Sequence, residues 1–173
     1  MSTLSRLIEQ DMVLQAAEDF AGAYQLWWSV IKSMPKNDLG LYLNIMERFA
    51  DAAYRAQRYR QGAAVIAGCL KTLNSKSMEP TIECAELLQK LAMLYYLDND
   101  LSPAICVLLT VMQILELDFE NQFDRWQTAA KTLAMVYERC SVLSNQGQRQ
   151  QDDKGSDWQL FLGSDDLIKM CAA

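Results

Sequence analysis

Apolar residues recur at three- and four-residue steps along most of this chain, and no stretch of convincing length alternates apolar with polar. In residues 82 to 97, Ile82, Ala85, Leu88, Ala92 and Tyr95 fall on one stripe that Leu91 widens. That is the spacing of a helix burying one face. The same periodicity predicts helices over about 4–17, 19–34, 40–57, 60–74, 103–117 and 124–141. Breaks fall between them. SMPKND, with Pro35 and Asn37, stops one helix, and Pro80 precedes another. After Asp98, Asn99 and Asp100, Ser102 is a candidate cap and Pro103 fits the first helical position. The helix that follows is apolar nearly all round (Ile105, Val107, Leu108, Val111, Met112, Leu115) and needs neighbours on more than one side. The expected fold is all-α, built from units of helix, short turn, helix.

The units echo one another. Leu91, Ala92, Met93, Leu94 and Tyr95 are shadowed 42 residues later by Leu133, Ala134, Met135, Val136 and Tyr137. Stepping back by the same interval lands on Phe49, Ala50 and Ala53, which keep the chemistry though not the letters. Self-similarity at such a period is the mark of a repeat architecture.

Composition narrows the functions available. The 173 residues suffice for one domain or a short repeat array with a real core. No apolar run approaches the ~18 residues of a membrane-spanning helix, and Arg6, Glu9, Gln10 and Asp11 interrupt the N-terminal apolar residues, unlike a signal peptide. A cytoplasmic, soluble protein is expected. The net charge of −6 argues against nucleic acid or an anionic membrane as partner. One basic cluster, Arg55, Arg58 and Arg60, reads as a solvated helix end whose cations complement the helix dipole. The five cysteines (69, 84, 106, 140 and 171) form no CxxC, so zinc and redox motifs find no support; Cys69, Cys84 and Cys106 read as small hydrophobes in a reducing compartment. Histidine is absent, and with it the Ser–His and Cys–His pairs and the commonest general base. Phosphate-cradling GxxxxGK[ST] and GxGxxG motifs are absent too. No catalytic residue, cofactor or metal is expected.

The best copy of the unit, Leu91, Ala92, Tyr95, Ala104 and Leu108, resembles a tetratricopeptide repeat, as do Phe49, Ala50, Ala53, Gly62 and Ile66 before it. An N-terminal copy keeps Leu14, Ala23, Trp27 and Pro35. The resemblance covers about residues 10 to 141. It departs from the family pattern where Met46, Leu88 and Ala130 replace its opening tryptophan, and where the period is 42 instead of roughly 34. Periods of this length are similar to those of kinesin light chains and some bacterial peptide-sensing regulators. The third copy lacks a recognisable second helix. The resemblance implies an array of antiparallel helical hairpins over 1–143, a TPR-like α-solenoid that binds a partner and performs no chemistry.

In that family the first helices line a concave groove. Carried over, the resemblance implies partner-binding positions at Asn44, Glu47, Asp51 and Tyr54, then Glu86, Gln89, Met93 and Tyr96, then Thr128, Lys131, Met135 and Glu138. Four acids against one lysine make an acidic groove, suited to a basic or amphipathic helix or extended segment of a protein partner. Met and Tyr suit adaptable contacts, and Met93 and Met135 fit equally well between neighbouring repeats. The family's basic clamp for C-terminal carboxylates does not carry over onto these acidic faces. An adaptor or chaperone-like protein is the leading expectation; a peptide-sensing regulator and a scaffold subunit, homo- or hetero-oligomeric, are the alternatives.

Trp27 and Trp28 lie ~100° apart on a helix, so one is expected in the core and the other at a surface or under the next repeat. Residues 144–157 read as a polar linker. Beyond it, Trp158, Leu160, Phe161, Leu162, Leu167 and Ile168 form an apolar segment (158–173) in which Ser164 is a candidate cap. That segment either closes the array, as repeat proteins require, or binds a partner.

Overall fold

The structure, a computed structural model, describes residues 3–33, 38–74 and 82–150. It is all-helical: α1 (Thr3–Ala16), α2 (Phe20–Ser33), α3 (Leu39–Arg55), α4 (Tyr59–Asn74), α5 (Ile82–Leu97), α6 (Leu101–Glu116) and α7 (Phe119–Gln150), with no strand among the described residues. Pro35, Asn37, Pro80, residues 151–157 and the apolar segment 158–173 lie outside them.

Three connections share one backbone turn. Glu18, Gln57 and Asn99 adopt left-handed φ values of 56°, 54° and 62°. Their N–H groups donate three residues back, to Gln15, Tyr54 and Tyr96. The next residues, Asp19, Arg58 and Asp100, donate five back, to Leu14, Ala53 and Tyr95. These paired bonds satisfy carbonyls that the helix end leaves bare. Glycine or asparagine usually takes the left-handed position; only Asn99 conforms here, so periodicity alone did not mark the other two. The α6–α7 connection differs, since Leu117 stays right-handed (φ −65°) and α7 starts at once.

Helix starts follow local chemistry. Asp38 accepts from the Leu41 N–H at 3.0 Å ahead of α3, and Asp19 accepts from the Gly22 N–H at 2.8 Å ahead of α2. At α6 the structure corrects the expected cap. The helix begins at Leu101 after Asp100, so Ser102 is its second residue and Pro103 its third. Proline remains tolerated there, because the first turn's N–H groups have no intrahelical partner. Helix α7 begins at Phe119, five residues earlier than the periodicity predicts, and continues through 144–150, where polar composition predicts a linker. Its Gln and Arg residues are ordinary helix formers.

The main core brings α2, α3, α4 and α5 together around Trp27, Tyr42, Met46, Phe49, Ile66, Leu87 and Leu94. Two further clusters join α5, α6 and α7: one of Ala85, Val111, Ile114, Leu115 and Ala129, the other of Ala92, Leu101, Ala104, Leu108 and Val136. Helix α6 thus has its neighbours on two sides, as its all-round apolar character requires. Small residues set the close approaches. A Cβ built on Gly62 of α4 would lie 2.6 Å from the Ala53 Cβ of α3, so any side chain there would force the helices apart.

Candidate partner-binding surface

Helices α3, α5 and α7 carry every residue expected to face a partner, and polar staples tie them in one register. Lys90 of α5 reaches back to Asp51 of α3, Nζ to Oδ2 2.7 Å. Arg125 of α7 reaches back to Glu86 of α5. Both pairs span 39 residues. Gln89 adds a bond to the Arg125 carbonyl at 3.5 Å, and Arg139 donates to Asn99 and stacks 4.8 Å from the Tyr96 ring centroid. Each exposed pair contributes only ~0–1 kcal/mol. What they fix is relative placement.

These staples change the electrostatics. Sequence alone counts four acids against Lys131, yet Lys90, Arg125 and Arg139 arrive on the same helices. Asp51 and Glu86 are therefore charge-paired, and Tyr96 is partly roofed by a guanidinium. Asn44 accepts from Arg48 Nε at 3.1 Å, and the Arg48 guanidinium lies 5.7 Å from the Trp27 ring. Glu47 is half-buried and Glu138 exposed. Tyr54 and Met135 are about half exposed, at 52% and 49%, whereas Met93 and Gln89 are half-buried. Tyr54 leans on Tyr59, ring centroids 6.3 Å apart. Thr128 bonds back to the Asp124 carbonyl at 2.9 Å, and Lys131 is exposed. The surface is less acidic than composition suggests, with aromatic and thioether patches between neutralised pairs.

The basic cluster also acquires a partner. Arg60, in the first turn of α4, pairs with Asp98 of the α5–α6 turn at 2.9 Å, and Arg55 closes the last turn of α3.

The tryptophan pair divides as the helical spacing expects, while a cleft and a buried carboxylate escaped it. Trp27 is fully buried, whereas Trp28 is half-buried beside Tyr24 and Phe49 with Lys32 Nζ 4.5 Å over its ring. Tyr24, Gln25 and Trp28 of α2, with Gln61, Ala64 and Val65 of α4, line an open cleft of about 410 Å³. Asp11 of α1 is 4% exposed; Oδ2 accepts from Gln15 Nε2 at 2.7 Å, but Oδ1 has no partner among the described residues. The turn register supplies the missing signal, because it aligns Asp11 with Ala50 and Ala92. Burial holds the Tyr42 and Tyr95 phenols above their ordinary values, which suits packing residues better than proton donors.

Cys69, Cys84, Cys106 and Cys140 are half-buried thiols. Among the described residues no cluster of His, Cys, Asp and Glu is placed to hold a metal ion, and no helix is long and apolar enough to cross a membrane. No family model, curated protein or solved structure matches the chain.

Proposed function

We propose that this protein is a non-catalytic, cytoplasmic binding module, an adaptor or chaperone-like protein, built as a TPR-like array of antiparallel helical hairpins. The observation that carries the reading is the equal 39-residue staple from α3 to α5 and from α5 to α7. Equal steps between first helices favour a repeating array whose first-helix faces form one continuous surface. On it, Tyr54 and Tyr96 offer rigid contact area with a polar end, Met93 and Met135 offer adaptable contacts, and Glu47 and Glu138 offer charge. Because Asp51 and Glu86 are already paired, an amphipathic segment suits this surface better than a purely basic one. A scaffold subunit is the second reading, favoured by Met12 and Val13, two-thirds exposed on the outer face of α1.

Peptide display against the immobilised full chain tests the proposal. Enriched amphipathic peptides should bind Tyr54→Ala/Met93→Ala on the order of tenfold or more weakly, the behaviour of central anchor residues, while the variant keeps its melting temperature. Undiminished binding would move the site elsewhere, and peptides competing at the Trp28 cleft would identify the new place.

A further inference from the structure

Helix α7 repeats α5 in sequence but not in surroundings. On α5, Ala85, Leu88, Ala92 and Tyr95 lie against α6, and Ala92 is fully buried. Forty-two residues on, the same positions are Gln127, Ala130, Ala134 and Tyr137; Ala134 is exposed and Tyr137 is 48% exposed. Phe119 and Phe123 continue the same side of α7, at 42% and 47%. Nothing in the described residues occupies the place that α6 takes on α5.

The helices that follow the left-handed turns share a pattern. Phe20, Ala23, Trp27 and Ile31 of α2 stand at steps of three, four and four. Tyr59, Gly62, Ile66 and Leu70 of α4 repeat it, as do Leu101, Ala104, Leu108 and Met112 of α6. The small residue is buried in each, and the bulky residue four later is wholly or almost wholly buried. Beyond α7 the chain writes the same spacing again, as Leu160, Gly163, Leu167 and Cys171.

We propose that residues 160–171 supply the missing second helix of the last pair, seated on the α7 face of Phe123, Ala130, Ala134 and Tyr137, with Gly163 at the crossing beside Ala134. Chain length permits it. From Gln150 back to the level of Tyr137 is ~20 Å at the helical rise. The nine residues 151–159 span up to ~30 Å when extended. Alanine opposite glycine gives the close approach that Ala53 and Gly62 make between α3 and α4. The assignment rests on the paired-helix array proposed above and not on its binding role.

Accessibility of position 134 tests it. In full-length Ala134→Cys, trypsin places residue 134 on the peptide 132–139, apart from the five native cysteines, so maleimide labelling is read there alone. Adding Leu160→Asp and Leu167→Asp should speed labelling about tenfold or more, as for a local opening made permanent. Equal rates would overturn the assignment. So would protection that survives both tail substitutions and grows with protein concentration, since a second copy would then hold the face. In the unmodified chain, amides of 160–171 should exchange well below the rate of a free peptide; exchange at that rate would overturn it as well.

Discussion

Helices α5 and α7 carry nearly the same five letters, LAMLY and LAMVY, in two environments. In α5, Leu91 and Ala92 disappear between neighbours on both sides. In α7, Leu133 is half-buried and Ala134 exposed, because α6 covers only the flank that carries Ala129, Val136 and Cys140. An identical pattern is thus worth different amounts of stability according to what packs on it. Burial is a property of the pair.

The difference can be broken most forcefully at the leucines. Leu91→Ala should cost ~2–5 kcal/mol, the range for a buried leucine whose site cannot collapse, and Leu133→Ala less than half as much. Paired denaturant melts measure both. Equal costs would mean that α7 is as enclosed as α5.

Two glycines of α4 sharpen the same point inside one helix. Gly62→Ala meets Ala53 at 2.6 Å and Leu94 at 3.2 Å, an overpacking that should destabilise by ~1–3 kcal/mol. Gly68 has nothing within 4 Å of its would-be Cβ, so Gly68→Ala should stabilise by ~0.5–1 kcal/mol through helix propensity. Opposite signs in thermal melts are expected; a stabilised Gly62→Ala would show that α3 and α4 do not cross there.

A smaller effect is expected at Asp11, which stands where α3 and α5 carry alanine. Asp11→Ala removes the buried oxygen without a partner together with the bond from Gln15, and the first should outweigh the second, raising stability by up to ~1 kcal/mol. A lower melting temperature would mean that the carboxylate is satisfied.

Much of the architecture was legible beforehand. The edges of α3, α4 and α5 fall within two residues of those the apolar spacing predicts, Gly62 meets Ala53 closely, and Ala92 and Ala104 are buried in one cluster. Caps and turns were less legible, since Glu18 and Gln57 hold left-handed positions without the glycine that would advertise them. The charge pairing was illegible for a different reason. Counting acids at the expected positions of α3, α5 and α7 leaves out Lys90 and Arg125, which stand outside those positions yet reach back to Asp51 and Glu86.

Sequence by itself determined that this chain is helical and where most of its helices begin and end, because periodicity and propensity act over a few residues. Only the tertiary structure decided which acids stay unpaired, that Trp27 and not Trp28 is fully enclosed, and that Ala134 lies bare where Ala92 is buried. Those outcomes depend on atoms about 40 residues away in the chain, whose arrival follows from packing and from no local spacing of letters.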